Sequence, residues 1–140
     1  MFRKEIDVNW LNRLGKNSAG EHLGIEFTEI GEDYLIARMP VDHRTRQPFG
    51  ILHGGASVLL AETLGSVAAA CTLPEDKIPV GLEINANHLR SVKEGFVYGK
   101  VSPIHVGRTT QVWDIRIANE AGQPVCISRI TIAVLERKGV

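Results

Sequence analysis

Apolar residues recur along this chain with two different periods. Val8, Leu11 and Leu14 fall at helical spacing, with Asp7 before them and Gly15 after them, which is the order of a capping residue, an apolar stripe and a helix-ending glycine. The pattern predicts a short helix over 7–15. GIEFTEI at 24–30 and YLIARM at 34–39 are alternating or β-rich runs separated by Gly31, Glu32 and Asp33. They predict a hairpin whose second strand stops at Pro40. Residues 40–52 hold two prolines, a glycine and several charges, and predict an irregular loop that ends on His53, Gly54 and Gly55.

From Ala56 to Leu73 small and apolar residues occupy every side of the helical wheel, and Pro74 lies just beyond. A segment apolar all round is expected to be a central, buried helix. Four β-rich runs follow: IPVGLEINANHLRSV at 78–92, FVYGKVSPIHV at 96–106, TTQVWDIRIAN at 109–119 and PVCISRITIAVLE at 124–136, joined by short turns. They predict long antiparallel strands. In the third, Trp113, Ile115 and Ile117 alternate with Asp114 and Arg116, so one face meets the helix and the other meets solvent or a partner. Hairpin, helix and strand meander in this order predict an α+β domain in which a curled antiparallel sheet wraps one long helix. No βαβ alternation, GxGxxG or GxxxxGK[ST] motif is present, which argues against a nucleotide-binding parallel sheet.

Composition narrows the picture without naming a chemistry. The 140 residues, 44% hydrophobic and 23% charged, suit one globular domain over 1–140. Lysine plus arginine equals aspartate plus glutamate at 16 each, so no long-range field draws the protein to nucleic acid or an anionic membrane. Any anion site must be local. Basic and aromatic residues do not interleave as single-strand binders require, and Phe49, Phe96 and Trp113 read as core or subunit-contact residues. The opening MFRKEIDVNW carries no apolar leader segment, and no apolar run reaches the ~18 residues that a membrane span needs. A cytoplasmic location is therefore expected. Cys71 and Cys126 sit in apolar segments with no Cys/His cluster beside them; they read as reduced core residues, with a mutual disulfide as the lesser alternative, and no metal site is expected.

Glu62 is the most informative position, because burying an unpaired carboxylate in an apolar helix costs several kcal/mol. It either salt-bridges to a neighbour, faces a wet subunit seam, or does chemistry. Ser66 lies one helical turn further on, on the same face. Upstream, His53, Gly54 and Gly55 stand at the predicted helix N-terminus, where free N–H groups and the helix dipole stabilise negative charge on an oxygen. An ordinary loop-to-helix transition with a capping histidine would look the same locally. Together, a carboxylate, a hydroxyl and an oxyanion-type amide on one helix match the parts needed for acyl transfer, and no GxSxG motif competes. Two further segments, His88-Leu89-Arg90-Ser91 and Ile104 to Arg108 with His105 and Gly107, supply cations and donors at strand ends. They are candidate phosphate contacts, or else solvated charges.

QPFGILHGGASVLLAETLGS at 47–66 and GLEINANHLRS at 81–91 resemble the hotdog-fold acyl-CoA thioesterases, in the subgroup of the phenylacetate-pathway and Arthrobacter-type 4-hydroxybenzoyl-CoA thioesterases. Within it they most resemble the 1,4-dihydroxy-2-naphthoyl-CoA hydrolases and the proofreading thioesterases of enterobactin synthesis. The resemblance implies that Glu62 is nucleophile or general base, that the Gly54 N–H polarises the thioester carbonyl, and that Gln47 and His53 flank the reaction centre while Ser66 positions water or the carboxylate. It further implies CoA contacts at Gly55, His88, Arg90, Ser91, His105, Gly107 and Arg108, no cofactor, and an aromatic or hydroxyaryl acyl group, with menaquinone biosynthesis as a setting. Each site would lie between two subunits of a homotetramer, a dimer of dimers, so that Gln47, His53 and Gly54 face Glu62 and Ser66 of the other chain. A hotdog dehydratase acting on 3-hydroxyacyl thioesters and a non-catalytic acyl-CoA-binding module are the alternatives.

Overall fold

The computed structural model describes residues 1–139 of the chain. Two short helices, α1 (Val8–Leu14) and α2 (Ala19–His22), precede the strands β1 (Glu26–Ile30) and β2 (Leu35–Pro40). A loop then leads into the long helix α3 (Gly54–Thr72), which is followed by β3 (Lys77–His88), β4 (Phe96–Val106), β5 (Thr110–Ala118), β6 (Pro124–Glu136) and a 3-10 turn, Arg137–Gly139. The strands form one six-stranded sheet in the order β1-β2-β4-β5-β6-β3, antiparallel throughout. Register shifts in β1, β3 and β4 bend those strands, as an extra residue in one strand does. The sheet curls around α3, the hotdog arrangement.

Local sequence explains most boundaries. Asp7 caps α1 by accepting from Trp10 N–H at 2.7 Å, and β4 and β6 span the predicted runs. Helix α2 was not expected; its signal is the Ser-x-x-Glu spacing of Ser18 and Glu21, in which the Ser18 hydroxyl accepts from Glu21 N–H. Pro40 is the last residue of β2 rather than a stop before it, at a strand end where a missing donor is tolerated. β3 ends at His88, so Leu89 to Ser91 are loop rather than strand. Both cysteines are buried and free; burial pushes the Cys71 thiol up to about 11.

The helix expected to be buried all round is buried on one face only. Leu60, Ala61, Leu64, Ala68 and Ala69 are fully buried against the sheet, whereas Glu62 is exposed. The outer face carries Thr63, Ser66 and Ala70 beside Val67, residues small enough to leave the segment apolar on average without requiring cover. By length and apolar composition this helix also meets the requirement of a membrane span, contrary to the sequence reading, yet half of it is buried inside the protein. Beneath it lie Trp113, Ile115, Ile130 and Ile132, all with no exposed surface, each stabilising by roughly 1.5–3 kcal/mol on transfer from water. The indole of Trp113 donates to Gln111 Oε1 at 2.8 Å, and Gln111 Nε2 donates to Thr72 Oγ1 at 3.0 Å, so the buried polar atoms join β5 to the end of α3. At that end Arg3 donates from its backbone to Cys71 O at 3.0 Å and from its guanidinium to Ala70 O at 3.1 Å, a cation on the last carbonyls of the helix.

Gly65 lets α3 sit this close to the sheet. A Cβ built there would lie 2.5 Å from Ile130 Cγ2, and a β-branched side chain has no spare rotamer to yield. Gly65→Ala is expected to destabilise the fold by about 1–3 kcal/mol through overpacking, even though alanine is the better helix former by about 1 kcal/mol. Urea denaturation at fixed protein concentration checks this; an alanine variant as stable as the wild type would show that the helix can lift off the sheet at no cost.

Candidate active site

Two clefts open beside α3. The larger, about 680 Å³, has Glu62, Thr63, Ser66 and Val67 on one side and residues of α1, α2 and β1 on the other, with Leu11, Leu14, Ile25 and Phe27 forming an apolar wall. Asn12 fixes that wall: its side chain donates to Phe27 O at 3.0 Å and accepts from Phe27 N–H at 2.8 Å, which ties α1 to β1 much as a strand pair would. Glu62 makes no hydrogen bond or ion pair among the described residues, so none of them neutralises it. Ser66 shares its cleft, one turn away, but the two side chains are not hydrogen-bonded to each other. The direct contact that helical spacing allowed is not made.

The smaller cleft, about 440 Å³, lies at the N-terminus of α3 and gathers Gly54, Ser57, His88, Arg90 and Ser91. Sequence spacing alone did not link these two segments; antiparallel pairing of β3 with β6 carries His88 to the helix end, since His88 lies opposite Cys126. The imidazole covers Gly54 closely, and a Cβ at Gly54 would fall 2.9 Å from His88 Nε2. Arg90 donates to Pro124 O at 3.3 Å and has no carboxylate partner among the described residues. His105, Gly107 and Arg108 belong to the β4–β5 hairpin and line neither cleft; within one chain the structure does not bring them to Arg90.

The donors at the helix start are partly spent and partly free. His53 is the N-cap, and its Nδ1 accepts from Gly55 N–H at 2.8 Å, which in the neutral ring leaves the proton on Nε2. His53 O takes the N–H groups of Ala56 and Ser57 at 3.0 and 3.3 Å. The Gly54 N–H has no partner among the described residues. Gln47 accepts from Phe49 N–H through Oε1, so its carboxamide N–H groups remain available. The loop that carries these groups is pinned. Buried Thr45 donates to Pro40 O at 2.7 Å and accepts from Asp42 N–H at 3.2 Å, while its own carbonyl takes the His53 N–H at 2.8 Å. The Arg44 guanidinium, 2.8 Å from Asp42, holds that carboxyl down at about 2.

Several supports escaped the sequence reading. Asn12 and Thr45 look like ordinary polar loop or helix residues until their backbone partners are known. Thr63 and Val67 were within reach, since they follow Glu62 and Ser66 directly. Of the aromatic residues, Trp113 is core, Phe96 lies partly buried with the Arg38 guanidinium 4.3 Å from its ring centroid, and Phe49 is 90% exposed at the tip of the Gln47–Gly50 turn.

Comparison with known proteins gives consistent results. The family model described as Thioesterase superfamily matches residues 49–126. The chain is 52% identical over 136 residues to the 1,4-dihydroxy-2-naphthoyl-CoA hydrolase of Escherichia coli, covering 96% of this chain and 99% of that protein. It is 47% identical over 135 residues to the proofreading thioesterase EntH of Cronobacter turicensis, covering 96% and 98%. Among solved structures, a thioesterase from Haemophilus influenzae superposes with a TM-score of 0.94 at 52% identity, covering 96% of this chain and 94% of that one.

Proposed function

The chain belongs to the thioesterase superfamily, and on that premise we propose that it hydrolyses an aromatic or hydroxyaryl acyl-CoA, with Glu62 as the catalytic carboxylate. The observation that carries this reading is an unpaired carboxylate at the mouth of an apolar-walled cleft, on the helix whose first amide, Gly54 N–H, is also unpaired. A carboxylate and an oxyanion donor are the two groups that thioester hydrolysis needs. Glu62 either takes a proton from water as that water bonds to the carbonyl carbon, or bonds to the carbon itself and yields an anhydride that water then opens. In both routes the carbonyl oxygen becomes an oxyanion facing the Gly54 N–H, the C–S bond breaks, and CoA leaves as thiolate and takes up a proton. Gln47 N–H and His53 Nε2–H are further donors from the same loop, and Ser66 is the hydroxyl next to the carboxylate.

Geometry within one chain argues for a shared site. Gly54 and Glu62 are separated by roughly 12 Å along the axis of α3, at 1.5 Å per residue. One thioester carbonyl does not reach both. In this reading a second copy brings its Gln47, His53 and Gly54 to Glu62 and Ser66, and β3 favours such pairing: it is a sheet edge of 12 residues with Leu82 62% exposed, the kind of edge that proteins cover. We take the assembly to be a dimer of dimers, with His88, Arg90 and Ser91 holding CoA phosphates and His105, Gly107 and Arg108 available to the same ligand across a subunit boundary. The name of the Escherichia coli relative makes 1,4-dihydroxy-2-naphthoyl-CoA, and with it menaquinone biosynthesis, the first acyl-CoA to try.

Glu62→Gln is expected to lower kcat at least ~100-fold without loss of thermal stability, since the carboxylate has no partner to lose; release of free thiol from acyl-CoA substrates measures it. A glutamine variant with near-normal kcat would make Glu62 structural. Arg90→Ala is expected to raise KM more than it lowers kcat, the signature of binding lost equally from ground and transition states, and to matter little for a substrate lacking the nucleotide. For the shared site, two inactive proteins, Glu62→Gln and His53→Ala, are expected to recover roughly a quarter of wild-type activity when co-expressed, because mixed dimers keep one intact site of two. Mixtures as inactive as either parent would confine the site to one chain.

A further inference from the structure

We infer that Gly81 is a positioning residue for the Glu62 carboxylate, an inference that rests on the hydrolytic reading of Glu62. Gly81 lies in β3 opposite the buried Ile132 of β6, so it shares the sheet face that packs on α3. A Cβ built on it would lie 3.0 Å from Glu62 Oε2, with Ile130 Cδ1 next at 3.7 Å. The carboxylate oxygen therefore rests almost on the Gly81 backbone. Among the described residues no hydrogen bond or ion pair orients it: the side chain has three rotatable bonds, with the large cleft on its other side.

Glycine is unfavourable inside a strand, so its presence here has a local cause. Backbone conformation is not that cause, since Gly81 is absent from the positive-φ glycines Gly24, Gly50, Gly95 and Gly122. Two local causes remain, the space that the Glu62 carboxylate takes and a bulge in the strand. The register of β3 on β6 also shifts between Gly81 and Glu83, leaving Leu82 as the extra residue. Such a bulge bends a strand and re-aims its neighbours, and here it sits at the level of Glu62. Gly65 shows the contrast: the atom in its way belongs to a stiff, buried isoleucine, whereas the atom in the way of Gly81 is the end of a flexible side chain open to solvent. An alanine at 81 is therefore compatible with the fold and displaces the carboxylate by several tenths of an ångström.

Such a displacement acts on the reaction and not on binding. A misplacement of about 1 Å costs on the order of 100-fold in rate, so Gly81→Ala is expected to lower kcat on benzoyl-CoA about 10-fold, with KM within roughly two-fold and Tm within about 2 °C of wild type. Glu62→Asp supplies the control, because a side chain one methylene shorter withdraws the carboxylate from Gly81. In that background, adding Gly81→Ala is expected to cost nothing further. Wild-type kcat in Gly81→Ala, an equal additional loss on top of Glu62→Asp, or a fall in Tm beyond about 5 °C would each overturn the inference, the last by making Gly81 a packing glycine. Glu62→Gln in the same assay separates the two levels: if it turns over like wild type, the reading of Glu62 falls and this inference with it, whereas an inactive Glu62→Gln beside a fully active Gly81→Ala removes Gly81 alone.

Discussion

The close seating of α3 on the concave sheet governs everything else in this protein. Gly65 lies against Ile130, and from the sheet side Gly99 lies against Leu64, where a Cβ would approach to 2.5 Å in each case. At that separation the helix cannot roll about its axis without driving leucines into strands. Its rotation is therefore set by packing, and the rotation decides which residues look outward. Glu62 and Ser66 face the cleft because Leu60, Ala61, Leu64 and Ala68 face the sheet.

That division also resolves an apparent conflict of energies. A carboxylate in the middle of an apolar helix suggests a buried charge, which would need a partner. The described residues supply none, and none is required while the outer face stays open. A second subunit covering that face would close the cleft and reduce the solvation of Glu62 at the same moment. Catalytic groups gain strength from such exclusion of water. The same helix presents its N-terminal amide to a different cleft roughly two turns away, so the proposed carboxylate and the proposed oxyanion donor stand on one element but in separate clefts.

Three glycines around α3 do three different things, and the neighbour in each case decides which. Beside Gly65 the neighbour is rigid and buried, so the glycine is about packing. Over Gly54 the neighbour is the His88 ring, so the glycine keeps a helix end open between an imidazole and whatever approaches the amide. Under Glu62 the neighbour is the carboxylate itself, and Gly81 bounds its position. A residue with no side chain thus acts through what it lets come close.

Much of this was legible in the chain before any coordinates. Alternation in β5, the runs that became β4 and β6, the capping order around α1, and the histidine and glycines opening α3 all follow from local periodicity and capping chemistry, which depend on neighbours in sequence. The long segments 47–66 and 81–91 likewise pointed to the thioesterases. What tertiary structure decided is everything that depends on partners distant in sequence. Helix α3 proved one-sided because small residues make a surface apolar by composition without making it need cover. His88 reached Gly54 through the pairing of β3 with β6, and Gly81 came to lie under Glu62 through the same pairing and its bulge. Periodicity specifies which way a side chain points on its own element; only the register between elements specifies what it meets there.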